Sequence, residues 1–215
     1  MDTLVGKVIR LKLTNGGAVV PADNPFVGEA GIRPEIYALG LRSPWRMTVR
    51  NSDGKIFVAD VGQAHWEEVN ELKPRGNYGW SARQGPCPDG QVLPCTPAPP
   101  EFTDPVMYYV HKKPGEQGSA VTAIAFYEGS AFPDKYHDLL FFADFNNNYI
   151  SVAKLGHAGA FEISPFATGT GNVVDLEYYN EALYYLDIYN GTLRTIYHTD
   201  TGNTIPVALL RAEAE

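Results

Sequence analysis

The residues best suited to chemistry sit in DVGQAHWEEVN, residues 60–70. A strand-like run, KIFVAD, ends there at a Gly, and an amide, a His, a Trp and two carboxylates follow at once. Taken singly, these groups have ordinary explanations. His65 reads as an exposed turn residue before it reads as a base, and adjacent glutamates in a loop are usually solvated. Arg42 in LRSP stands before a Pro at a strand entrance, where it is either a surface ion-pair partner or an anchor for an anionic group. GNYGW (76–80) reads as a tight turn whose Tyr and Trp pack beneath the loop. Cys87 and Cys95 flank a Pro/Gly-rich stretch with little regular structure, where a covalent clamp is useful. A disulfide is expected there, implying an oxidising compartment, with two free thiols as the alternative. No second Cys/His pair has zinc-ligand spacing.

Elements that could position these groups are short. The chain has 215 residues, 44% hydrophobic and 12% aromatic, enough for a sizeable core. Its 21 Gly and 16 Pro favour many turns, and no apolar pattern at i, i+3, i+4, i+7 survives three uninterrupted turns. The net charge of -8 argues against a nucleic-acid partner, which needs a basic face. No run of about 20 apolar residues suggests a membrane span. The start, MDTLVGKVIRLKL, lacks the pattern of a signal peptide and opens on strand-like sequence, as a chain cut inside a fold would.

Strand signals recur along the chain. They cover 6–13, then 45–50, 55–62 and 67–72, then 120–129, 138–145, 149–155 and 161–167, and finally 173–180, 182–190 and 192–199. KIFVADV, LLFFADF and LYYLDIY are alike: each is a continuous apolar run closing on an Asp and a turn. A repeated antiparallel meander of this kind is the mark of a propeller blade, about 40–50 residues long. The fold class expected is therefore all-β, a partial β-propeller of about three four-stranded antiparallel blades over residues 1–200. Residues 81–118 would form a loop inserted between the first two blades, and 201–215 a linker or the start of a following domain. Three blades do not close a ring, so the open edges require an N-terminal propeller half or self-association.

VPADNPF (20–26), EIYALGLRSPWRM (35–47), DVGQAHWEEVN and GNYGW, continued by YEGSAFPDKYHDLLFFADF (127–145) and ALYYLDIYNGTLRTI (182–196), resemble in order and spacing the glucose/sorbosone dehydrogenase family. That family comprises the soluble quinoprotein sugar dehydrogenases and the hedgehog-interacting-protein-like ectodomains. The resemblance implies a six-bladed propeller, of which this chain is roughly the C-terminal half. It implies pyrroloquinoline quinone (PQQ) and Ca²⁺ as cofactors, with a sugar as substrate in a periplasmic or extracellular setting. Carried over by position, the backbone carbonyls of Gly62 and Gln63 would ligate Ca²⁺, with Glu67 and Tyr78 bracing their loop. Arg42, with Ser43, Trp45 and Arg46 in the same entrance loop, would meet the quinone, whose three carboxylates suit a guanidinium.

Three departures accompany the resemblance. The family's general-base His belongs to the N-terminal half, so none of the five His here inherits it. The turn in ADFNNN (143–148) lacks the Lys of the glucose-oxidising members, and GTGNVVD (169–175) lacks their two Arg. Lys112 and Lys113 are the nearest candidates to compensate. The leading expectation is a PQQ- and Ca²⁺-dependent sugar dehydrogenase in the full-length form, inactive as this fragment. The alternatives are a non-catalytic extracellular propeller binding a protein or carbohydrate, and a carbohydrate-associated module of a larger enzyme.

Overall fold

A computed structural model describes residues 3–111, 118–156 and 159–198, together with the backbone of strand 207–210. The described chain is all-β apart from one 3-10 turn, Asp134–Tyr136. Its strands are β1 (Lys7–Ile9), β2 (Lys12–Thr14), β3 (Gly17–Val19), β4 (Ile36–Leu39), β5 (Pro44–Arg50), β6 (Lys55–Asp60), β7 (Trp66–Glu71), β8 (Arg83–Gln84), β9 (Cys87–Pro88) and β10 (Met107–Val110). Then come β11 (Val121–Phe126), β12 (Leu140–Asp144), β13 (Tyr149–Leu155), β14 (Phe161–Thr168), β15 (Val173–Tyr179), β16 (Ala182–Asp187), β17 (Thr192–Ile196) and β18 (Val207–Leu210).

Three antiparallel four-stranded sheets dominate: β10-β7-β6-β5, β11-β12-β13-β14 and β15-β16-β17-β18. The first strands, β5, β11 and β15, lie side by side with β11 in the middle. The second strand of the central sheet reads as a continuous apolar run because neighbouring sheets cover both its faces, and all five residues of LFFAD in β12 are buried. β14 is the edge strand of its sheet and tolerates Pro165, since an edge residue need not donate outward. One core joins the first and second sheets, with the Phe57 and Phe126 rings 4.8 Å apart. Another joins the second and third around Phe141, Val173, Leu183 and Tyr185.

Carboxylates stitch neighbouring sheets at the turns beyond β5, β11 and β15. Glu128 accepts from the backbone N–H groups of Asn51 and Ser52 at 2.8 and 2.7 Å. Glu181 does the same for Ser130 and Ala131 at 2.6 and 2.8 Å. Glu181 sits with Asn180 in a two-residue hairpin turn where both have positive φ, the geometry that matches strand twist.

Two sequence expectations change. The strand expected over 6–13 is two strands with different partners, β1 on β4 and β2 on β3, separated by Arg10 and Leu11. Residues 81–118 are not simply an inserted loop. They carry the β8–β9 hairpin, and β10 supplies the fourth strand of the first sheet through pairing with β7. In the tail, the backbone of β18 pairs with β17.

Candidate functional site

A carboxylate closes the head of each sheet. The last residue of the second strand is Asp60 in β6, Asp144 in β12 and Asp187 in β16, all buried. Each turns back onto the segment that enters the first strand of its own sheet. Asp60 accepts from the N–H groups of Arg42 (2.8 Å) and Ser43 (2.5 Å). Asp144 accepts from Ala120 N (3.2 Å), and Asp187 from Asn172 N (3.2 Å). The repeated Asp of the sequence is thus a backbone clamp. Burial pushes the Asp60 carboxyl up to about 6 against the pull of its two N–H donors, and burial likewise raises Asp144.

The Asp60 clamp sets Arg42 in place. The Arg42 guanidinium donates through Nη1 to the carbonyl oxygens of Val61 and Gly62, both at 2.9 Å, and lies 5.6 Å from the Trp80 ring centroid. Arg42 and the turn after Asp60, placed together by the resemblance, do converge. The turn is tight: a Cβ on Gly62 would lie 1.6 Å from the Trp66 carbonyl oxygen. Gly62 is buried, while Gln63 is exposed at the turn's tip.

Glu67 braces this turn from beneath. It is fully buried; Oε1 accepts from Gly62 N (3.2 Å) and meets Nδ1 of His111, and Oε2 accepts from Val121 N (2.9 Å) at the start of the second sheet. Burial raises the Glu67 carboxyl, opposed first by His111. The other predicted residues, Ser43 excepted, lie apart from the turn. Tyr78 is buried where β7 ends, donating to the Glu71 carbonyl (2.7 Å) and accepting from Lys73 N (3.0 Å); burial pushes its hydroxyl up to about 12. Ser43 contributes backbone, accepting from Val61 N at 3.1 Å. Trp45 is half exposed on the open face of β5. Arg46 is paired through Nε with Asp175 of β15 at 3.0 Å, spanning the first strands of the first and third sheets. Lys112 and Lys113 lie outside the described residues.

Sequence reasoning missed Gln84 and His111. Gln84 lies in the β8–β9 hairpin, whose Cys87 is tied to Cys95 by a disulfide (Cα–Cα 5.6 Å), and its Oε1 accepts from Ala64, His65 and Trp66 N–H. Neither residue carries a local signal, since each reaches the turn from more than 15 residues away. Among the described residues, no three His, Cys, Asp or Glu side chains converge as a metal cluster. No helix among the described residues is long and apolar enough to cross a membrane.

A fold of repeated sheets whose strand-end loops hold an Arg against a glycine turn defines a loop-bearing β scaffold, and its pattern matches one family. Residues 1–188 match the family Glucose / Sorbosone dehydrogenase, and the chain belongs to it. It is 34% identical over 154 residues to the HIPL1 protein of Arabidopsis thaliana, covering 61% of this chain and 22% of that protein. It is 30% identical over 142 residues to the aldose sugar dehydrogenase YliI of Escherichia coli K12, covering 62% and 34%. Among solved structures, a glucose dehydrogenase superposes with a TM-score of 0.69 at 25% identity, covering all of this chain and 56% of that one. The PQQ-bound aldose sugar dehydrogenase of Streptomyces coelicolor gives 0.58 at 21%, covering 86% and 46%, a likeness of fold. The chain spans about a quarter to a third of these curated relatives and about half of these solved structures.

Proposed function

We propose that this chain is roughly the C-terminal half of a six-bladed propeller that, in full-length form, oxidises the C1 hydroxyl of an aldose with PQQ and Ca²⁺. The observation that carries this reading is the Arg42–Gly62 convergence, a guanidinium and a carbonyl turn held together by the buried carboxylates Asp60 and Glu67. The family membership, and relatives described as an aldose sugar dehydrogenase and a quinoprotein glucose dehydrogenase, point the same way. The disulfide favours a periplasmic or extracellular site of action.

The donor set fits the two cofactors in type. Successive carbonyls on a turn too tight for a side chain at Gly62 suit a hard cation, and a planar guanidinium suits a carboxylated ring. Gly62 and Gln63 would offer their carbonyl oxygens to Ca²⁺, and Arg42 would bind a quinone carboxylate. When bound, PQQ supplies a two-electron acceptor and Ca²⁺ a Lewis acid. This chain's own part is binding and orientation. Asp60 fixes the backbone that carries Arg42, Trp80 stacks against its guanidinium, and Glu67 fixes the Gly62 amide. The proton acceptor is expected in the N-terminal half, so the isolated 215-residue chain should not oxidise sugars with added PQQ and Ca²⁺.

A second reading, a propeller that binds a protein or carbohydrate without catalysis, is favoured by one observation. The turns after Asp144 and before Asn172 hold Asn, Thr and Gly where the glucose-oxidising members are expected to carry cations. Calorimetric titration of the full-length protein with PQQ, with and without Ca²⁺, separates the two. Calcium-dependent binding that weakens about tenfold or more in Arg42→Ala supports the dehydrogenase reading, one charge-assisted contact being worth roughly 1.5–3 kcal/mol. Absence of calcium-dependent binding leaves the binding propeller.

A further inference from the structure

The turn at 61–66 is held from above as well as from below. The segment from Arg83 to Gln91 folds over it through the short β8–β9 hairpin, which the Cys87–Cys95 disulfide ties to the chain beyond. Five hydrogen bonds and one packing contact join this segment to the turn and to the start of β7. The Gln84 side-chain carbonyl accepts three successive backbone N–H groups, from Ala64 (3.2 Å), His65 (2.8 Å) and Trp66 (3.0 Å). The indole Nε1 of Trp66 donates to the Gln91 carbonyl at 3.1 Å. Gly85 N donates to the buried Glu68 carboxylate at 2.5 Å. Gly85 also lies flat on Trp66: a Cβ there would come within 2.7 Å of Trp66 Cβ and Cγ.

Three N–H vectors converging on one oxygen leave the intervening peptide planes little freedom. A peptide N–H is coplanar with the carbonyl before it, so the Ala64 N–H bond to Gln84 turns the Gln63 carbonyl away from the hairpin, next to the Gly62 carbonyl that Arg42 holds. Gln84 is itself buried, at 5% exposure, so its carbonyl has no water to compete for it.

We infer that Gln84 is a positioning residue: the β8–β9 hairpin presents its side-chain carbonyl to the 64–66 amides and thereby sets the direction of the Gln63 carbonyl oxygen, beside the Gly62 carbonyl that Arg42 holds. The inference rests on the proposed reading of that turn as the cofactor-facing loop. It makes a residue within the 81–118 segment part of the site's scaffold.

The test is amide hydrogen exchange of the full-length protein without added cofactor, paired with PQQ titration in the presence of Ca²⁺. In Gln84→Met, which removes the acceptor but keeps the volume, the amides of 64–66 are expected to exchange about tenfold faster, the size of one lost hydrogen bond. The amides of β6 should keep their protection, and PQQ affinity should fall at least fivefold. Gln84→Glu retains an oxygen in the same place, protonated or not, and should recover both. Unchanged exchange at 64–66 in Gln84→Met overturns the inference. So does acceleration spread over all three sheets, or faster local exchange with undiminished PQQ affinity. If the unmodified protein binds no PQQ, the proposed function fails separately, while the exchange result still decides whether Gln84 holds the turn.

Discussion

The site depends on carboxylates that are buried with their protons in play. Asp60 and Glu68 face each other as a cross-strand pair on β6 and β7. Burial pushes Glu68 up to about 8, with the Asp60 charge adding to the rise and the Asn70 amide and Gly85 N–H opposing it. An acid whose folded value lies above its unfolded value binds its proton more tightly when folded. Stability is therefore fullest below the unfolded value and declines as pH rises toward the folded one. For Glu68 the decline runs from about 4.5 to about 8, and for Asp60 from 3.8 to about 6. Glu68→Gln removes the larger part. It should raise stability at pH 8 by about 2 kcal/mol, less than the full linkage value because one oxygen acceptor is lost. At pH 5 it should change little. Denaturant unfolding at the two pH values checks this, and an equal effect at both would show that Glu68 does not titrate in that range.

At the scale of elements, the first sheet is closed by a strand lying nearly forty residues along the chain from its neighbour. β10 pairs with β7 in register Met107↔Val69 through Val110↔Trp66, and Met107 is fully buried against the second sheet. The same strand brings His111 to Glu67 and Tyr109 to Asp144, the latter bond at 2.9 Å. β10 and the residue after it therefore link the Glu67 brace of the first sheet to the Asp144 clamp of the second. Met107→Ala should cost about 2–5 kcal/mol in equilibrium denaturation, the range for emptying a buried site of that size. It should also loosen the 61–66 turn through His111 and Glu67, read as faster exchange of the Gly62 amide. Loss of stability with the Gly62 amide still protected would separate β10 from the site.

At the scale of the whole molecule, one face stays uncovered among the described residues. Trp45, Met47 and Val49 alternate on β5, and each is roughly half exposed. Met47, Val49 and Ile56 line a cavity of about 620 Å³ with Val8, Ile9 and Tyr37. Apolar surface gains roughly 25 cal/mol per Å² when removed from water, so such a face favours a partner. In the isolated 215-residue chain the partner at hand is a second copy. Sedimentation should show concentration-dependent association that Met47→Ser with Val49→Ser reduces. A chain monomeric at all concentrations would mean that this face is satisfied without a partner.

The sequence by itself determined the all-β class and its repeat. Alternating and continuous apolar runs, turn residues and the thrice-repeated strand-end Asp are local patterns, and each reports the two faces of its own strand. It also placed Arg42 and the Gly62 turn in one family pattern, through motifs contiguous in the chain. Only the tertiary structure decided what those Asp residues bind, that Arg46 is spent on Asp175, and that β10 belongs to the first sheet. It alone brought Gln84 and His111 to the turn. The reason is physical: a hydrogen bond between residues 20 or 44 positions apart is set by how sheets and hairpins pack, and leaves no periodicity in the intervening residues.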